Sequence, residues 1–181
     1  KSTMGWLVAS KTSQKIYSVD DKIAVTTAGG AGDTQALIRI LKAEINLYKL
    51  TRNTEFTVKA ASHLLANILS GNRYYPYMAM LIIGGVDKTG GHVYSIDAVG
   101  GMEEEDKFTA TGSGSPIAFG VLEDSYRDNL AREDAIKLDA RAIKSARERD
   151  VFSGGRDIAV VVIDKAGMES IPQEKIKEMI K

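Results

Sequence analysis

Any covalent chemistry this chain supports at neutral pH must come from hydroxyls, carboxylates and amines, because its 181 residues contain no cysteine and only two histidines. The lack of cysteine excludes a thiol nucleophile, a disulfide framework and a zinc–thiolate site. His63 falls in a stretch with helical periodicity and His92 starts a strand-like run; neither has a metal-ligand spacing or a triad-like setting. Both read as structural or exposed side chains. Lys15 alternates with Tyr17 and Val19 along one strand face, so it points where apolar side chains point. A cation held there lowers the cost of forming an alkoxide beside it and shifts neighbouring pKa values. A surface lysine is the simpler local reading. Gly29-Gly30 joins a strand to a helix. Amides there can face a developing negative charge, or the glycines can simply make the turn. Ser113 in Gly112-Ser113-Gly114-Ser115, and Asp150 with Ser153, add hydroxyls and a carboxylate that local pattern reads as loop residues. The acidic run Glu103-Glu104-Glu105-Asp106 reads as a solvated turn, with a subunit contact as the alternative.

The composition narrows the class. Apolar residues make up 44% and charged residues 27%, and Lys+Arg and Asp+Glu balance at 24 each. No basic excess points to nucleic acid, and no acidic excess to a disordered tail. The longest apolar runs are far too short to span a bilayer, and the first eight residues lack signal-peptide anatomy. The length suits one domain. The expectation is a soluble, cytoplasmic, single-domain protein without nucleic-acid or membrane partners.

The elements that must position these residues follow from periodicity. Residues 15–19 and 23–28 read as a hairpin around a polar turn. Asp33 is placed to cap a helix over residues 34–50, with Leu37, Leu41, Ile45 and Tyr48 on one face. A second helix covers residues 57–69. Residues 78–83 form a buried strand, Gly84-Gly85 a turn, and residues 93–96 and 108–111 further strands. Pro116 opens a helix carrying Ala118, Val121 and Leu122. Residues 133–149 form a helix lined by Ala135, Leu138, Ala142 and Ala146. Residues 158–163 read as a β-branched strand, and a last helix starts at Pro172. Grouped strands and grouped helices suggest sheet on sheet with helices outside rather than alternating βαβ units.

Several segments together resemble the β subunits of proteasomes, such as those of archaea and some bacteria. They are Lys15-Ile16-Tyr17, Thr26-Thr27-Ala28-Gly29-Gly30-Ala31-Gly32-Asp33, Tyr75-Pro76-Tyr77, Gly84-Gly85-Val86-Asp87, Tyr94-Ser95-Ile96-Asp97, Gly112-Ser113-Gly114-Ser115, Gly120-Val121-Leu122-Glu123, and Arg149-Asp150 followed by Ser153-Gly154. They occur in the family's order along essentially the whole chain.

The resemblance implies an α+β fold, the four-layer α-β-β-α sandwich of N-terminal-nucleophile hydrolases, here missing its first strand or strands. It implies one domain over residues 1–181, truncated at its N-terminus. The implied activity is that of a threonine-type endopeptidase. It degrades unfolded polypeptide inside a barrel of stacked heptameric rings, beside other β subunits, α-type subunits and a regulatory ATPase ring, with no cofactor or metal. The α-amine of the nucleophilic threonine, or a nearby water, is the general base; an α-amine titrates near neutrality. By the family pattern Lys15 is the catalytic lysine and Gly29 the oxyanion-hole amide, while Ser113, Asp150 and Ser153 surround the nucleophile. The threonine itself and a supporting aspartate match positions before Lys1, so the 181 residues are expected to be inactive alone. Thr3 resembles the residue that hydrogen-bonds the substrate backbone. Ser2, Ser13, Tyr17, Thr27, Ala31 and Gln35 match the pocket for the residue before the cut, and Thr27 implies a medium pocket for uncharged side chains. Alternatives are a non-catalytic β or α-type scaffold subunit, or a subunit of the simpler bacterial two-ring relative.

Overall fold

The computed structural model of the chain describes residues 1–4 and 6–181. In chain order the elements are β1 (Ser2–Met4), β2 (Leu7–Ser10), β3 (Ile16–Asp20), β4 (Ile23–Gly29), α1 (Ala31–Arg52), α2 (Val58–Gly71), β5 (Ala79–Asp87), β6 (Gly90–Ile96), β7 (Met102–Glu104), α3 (Ser115–Ser125), α4 (Arg132–Arg149), β8 (Val161–Asp164), β9 (Gly167–Ser170) and α5 (Gln173–Met179). They fall into two compact units.

One unit comprises Lys15–Thr111 and Ile163–Met168. Its five-stranded antiparallel sheet has the order β3-β4-β5-β6-β7. Alternation along β4 and β5 turns Ile23, Val25, Leu81 and Ile83 to one face. There they pack with Leu37, Leu41 and Ile45 of α1 and Val58, Ala61, Leu65 and Leu69 of α2 into one buried cluster. Each large apolar side chain so buried contributes about 1.5–3 kcal/mol. The caps are local. Thr57 Oγ1 accepts from Ala60 N at 3.1 Å to start α2. Asn53, left-handed at φ 49°, ends α1 by donating its N–H to Lys49 O.

The other unit comprises Lys1–Gln14, Gly112–Val162 and Glu169–Lys181. It holds the β1–β2 hairpin and helices α3, α4 and α5, with α3 packed on α4. Its core cluster joins Ile136, Ala140, Ile158, Val160, Ile171 and Ile176.

The grouped order of elements holds, strands β1, β2 and β9 lie where none is expected, and five further details differ. Helix α1 begins at Ala31, so Asp33 lies inside its first turn; the Asp33 carboxylate accepts from Met78 N at 2.8 Å instead of capping. Gly84-Gly85 is not a turn but the interior of β5, because a Cβ at Gly85 would lie 2.5 Å from Lys22 O and 2.9 Å from Val58 Cγ2. Residues 108–111 form no strand, and the acidic run supplies the edge strand β7 through Glu103 and Glu104. Along α4 the buried face is Ile136, Leu138, Ala140, Ala142 and Ala146, leaving Ala135 exposed. Strand β8 starts only at Val161; Ile158 and Val160 are buried just before it, and Val160 O accepts from Ile171 N at 3.0 Å.

Leu41 is fully buried in the sheet–helix cluster. Leu41→Ala is therefore expected to cost about 2–5 kcal/mol, whereas Ala135→Ser stays within about 0.5 kcal/mol. Denaturant unfolding checks both, and an unmoved midpoint for Leu41→Ala contradicts the packing described.

Candidate functional site

Helix ends place the first group of candidates. Ser113 precedes α3, and Asp150 is the residue that ends α4, where its N–H donates to Ala146 O at 2.8 Å. Ser153 follows in the loop after α4. Because α3 packs on α4, residues 37 positions apart meet. The Ser113 hydroxyl donates to Asp150 Oδ2 at 2.5 Å, and the Ser153 hydroxyl donates to the same oxygen at 2.6 Å. The Phe152 N–H donates to Asp150 Oδ1 at 3.2 Å. Burial works against the charge on this carboxyl. The two hydroxyls and the backbone N–H groups outweigh it and hold its pKa below the usual carboxylate range. Gly114 makes the approach possible, since a Cβ there would stand 2.7 Å from Ser153 Oγ and 2.9 Å from the Ala146 methyl. Chemically the cluster is an ionised carboxylate with two hydroxyls turned onto it, a set that can fix a further proton donor or relay a proton.

The second group belongs to the sheet unit. Lys15 O accepts from Thr27 N at 3.0 Å, so Lys15 continues the β3–β4 ladder directly opposite Thr27. Directly opposed residues share a face with their Cβ atoms about 5 Å apart. Lys15 is half-buried and Thr27 buried, and Tyr17 lies two residues along the same face of β3. Thr27 in turn opposes Leu81 of β5. Two residues on, β4 ends at Gly29, whose φ of +118° belongs to glycine. A Cβ there would lie 2.1 Å from Met78 O. The Gly30 N–H donates to that oxygen at 2.6 Å, and Met78 N donates to Asp33, so one residue clamps the strand-to-helix junction from both sides. Helix α1 starts immediately after, and its first free amides favour negative charge at this junction. Ala31 and Gln35 lie one turn apart on an exposed side of α1.

Thus Lys15, Tyr17, Thr27, Gly29, Ala31 and Gln35 lie in the sheet unit, and Ser113, Asp150 and Ser153 in the helical unit. Ser2 and Thr3, on β1, and Ser13 also belong to the helical unit and are half-buried. His63 is exposed on α2, and His92 is held on β6 by Thr89 and Glu104. Among the described residues no group of three or more His, Cys, Asp or Glu could hold a metal ion. No helix among them is long and apolar enough to cross a membrane. Sequence reasoning did not single out Gly114, Met78 or Lys1. Gly114 lay within a quoted motif, but its need for a bare Cα depends on a helix 30 residues away. Met78 acts through its own backbone and Lys1 through an ammonium on backbone carbonyls, neither of which leaves a pattern.

The comparisons agree with one another. The family described as "Proteasome; Proteasome subunit" matches residues 1–163. A protein named "Proteasome subunit beta" from Methanosarcina barkeri is 48% identical over 179 residues, covering 99% of this chain and 84% of that protein. One of the same name from Methanoregula boonei is 49% identical over 178 residues, with 98% and 83% covered. Another from Methanothrix thermoacetophila is 46% identical over 181 residues, with 100% and 87% covered.

The lowered pKa of Asp150 has a stability consequence. A carboxyl whose folded pKa lies below the unfolded value near 4 stabilises the fold above that pH, and the contribution disappears as pH falls through the lowered value. Asp150→Asn is therefore expected to be less stable than the native chain at neutral pH, with the gap closing below about pH 4. Denaturant midpoints from pH 7 to pH 2 test this; a gap that stays constant to pH 2 contradicts it.

Proposed function

The chain belongs to the proteasome subunit family, and from that premise we propose that it serves as a β subunit of the threonine-endopeptidase type, with residues 1–181 holding and polarising the nucleophile. The observation that carries this reading is the Asp150 carboxylate with the hydroxyls of Ser113 and Ser153 both donated to one of its oxygens. An ionised carboxylate with two hydroxyls already turned onto it is suited to fixing a further proton donor such as an α-amine.

On this reading the parts divide the work. Lys15, a cation on a face otherwise shared with Tyr17 and Thr27, stabilises the alkoxide form of the attacking threonine hydroxyl. The Gly29 amide, at the start of α1, faces the oxyanion that forms as the scissile carbonyl becomes tetrahedral; such donors contribute about 3–4 kcal/mol in other hydrolases. Asp150, Ser113 and Ser153 orient the α-amine that takes the hydroxyl proton. Thr3 pairs with the substrate backbone. Ser2, Ser13, Tyr17, Thr27, Ala31 and Gln35 line the pocket before the cut, and the β-branched, buried Thr27 limits its depth to medium-sized, uncharged side chains.

The proposal extends to architecture and partners. The two units form one domain, the four-layer α-β-β-α sandwich, and the subunit assembles with other β subunits into heptameric rings flanked by α-type rings. Unfolded polypeptide delivered by a regulatory ATPase ring is the substrate, and the compartment is the cytoplasm.

Lys15→Ala in the assembled particle is expected to lower hydrolysis of fluorogenic peptides by at least about a hundredfold, with particle size on native gels unchanged. Undiminished hydrolysis removes Lys15 from the site and favours a scaffold subunit.

A further inference from the structure

The Ser113–Asp150–Ser153 cluster has two firm members and one that needs support. Ser113 and Asp150 sit at helix ends, held by α3 and α4. Ser153 sits in an irregular segment between α4 and the buried Ile158, beside exposed Val151 and half-exposed Phe152. Its hydroxyl can meet Asp150 only while that segment keeps one conformation.

The segment turns back onto Asp150, with the Ser153 N–H donating to Asp150 O and the Phe152 N–H to Asp150 Oδ1, each at 3.2 Å, and three further groups hold it. The Lys1 ammonium donates to Val151 O at 2.7 Å and to Ser153 O at 3.2 Å, bracketing Phe152. Lys11 O accepts from Arg156 N at 3.1 Å, and the Arg147 guanidinium donates to Gly155 O at 2.9 Å. Gly154 and Gly155 have φ of +139° and +135°. A Cβ on Gly154 would stand 3.2 Å from Lys1 Cδ, and one on Gly155 3.2 Å from Lys1 N and Lys11 O. The two glycines thus let the start of the chain lie directly on the segment, and the Trp6 ring lies 5.4 Å from Phe152. Of the three groups, only Lys1 bonds Ser153 itself. A charged donor on two carbonyls fixes both peptide planes at once.

We propose that Lys1 is a positioning residue, whose ammonium, by holding the carbonyls of Val151 and Ser153, keeps the Ser153 hydroxyl on Asp150. The inference deepens the peptidase reading and rests on it for its kinetic consequence, though not for its structural one. In this role Lys1 acts on the site through Ser153. Charge and reach are what the role requires. Methionine reproduces the stem without the donor, and arginine supplies the donor. Lys1 also lines an open cleft of about 550 Å³ with Val8, Lys11 and Arg156, which leaves room for the larger guanidinium.

Two readouts test this on Lys1→Met and Lys1→Arg. The first is the titration of the Asp150 carboxyl, followed by carbon-13 NMR on the chain itself. With one hydroxyl lost, the Asp150 pKa is expected to rise toward the ordinary aspartate range in Lys1→Met and to stay low in Lys1→Arg. The second is peptide hydrolysis by the assembled particle. In Lys1→Met, kcat is expected to fall about tenfold with KM nearly unchanged, and the acid limb of the pH–rate profile to move to higher pH; Lys1→Arg restores most of the rate. An Asp150 titration identical in the native chain and Lys1→Met overturns the proposal, as does an arginine variant as impaired as the methionine one. A native particle without turnover defeats the peptidase reading instead, and the NMR comparison still decides the role of Lys1.

Discussion

A single carboxylate oxygen, Asp150 Oδ2, accepts two serine hydroxyls, and much of the helical unit is arranged around that demand. Ionised oxygen at partial burial is costly unless its lone pairs are met. Here they are met by groups from two places: the Ser113 hydroxyl, two residues before α3, and the loop after α4, which supplies the Ser153 hydroxyl and the Phe152 N–H. The Ser113 contact depends on close approach of the two helices, while Ser153 and Phe152 reach Asp150 from within three residues. Ala146 on α4 and Gly114 before α3 are small because larger atoms would separate them; a Cβ at Gly114 would meet the Ala146 methyl at 2.9 Å. The packing of small side chains and the electrostatics of the carboxylate are therefore one constraint seen from two sides.

The sheet unit solves a different problem with the same economy. A strand must end and a helix begin within two residues, beside the neighbouring strand. Gly29 takes φ +118°, Gly30 donates to Met78 O, and Asp33 accepts from Met78 N. Asp33, freed from capping, becomes a strap to β5. The junction thus presents a rigid backbone immediately beyond Thr27, with Lys15 directly across the ladder from Thr27. Rigid backbone beside a half-buried cation suits catalysis that depends on pre-set dipoles rather than on motion.

How much of this could be read beforehand follows the range of the interactions. The apolar stripe of α2 and the alternation that turns Lys15 with Tyr17 and Val19 are properties of neighbouring residues, and they were readable. Locally Gly84-Gly85 reads as a turn, because glycine pairs usually punctuate; what keeps Gly85 bare in mid-strand is the approach of Lys22 and Val58, which no local window contains. Ala135 was assigned to the buried face of α4 because it is apolar, yet Ile136 and Ala140 turn inward to meet Ile158 and Ile176. The Ser113–Asp150 contact spans 37 residues and carried no local signal; only the likeness to a family put those residues together. Lys1 had no signal at all, since its partners are carbonyls.

The histidines show how the same reasoning assigns a role by elimination of free atoms. His92 has one ring nitrogen 2.7 Å from Thr89 Oγ1 and the other 2.8 Å from Glu104 Oε1, with Asp87 at 3.6 Å. A general base needs a nitrogen with an available lone pair facing its substrate. A carboxylate accepts, so Nδ1 donates to Glu104, and the other nitrogen faces Thr89 Oγ1. The same contacts make good structural sense. Strand β7 is three residues long and lies at the sheet edge, where the ladder alone is weak. His92 to Glu104 and Ser95 to Glu105, the latter at 2.6 Å, add side-chain bonds to the few backbone ones. The acidic run is therefore a fastener in part.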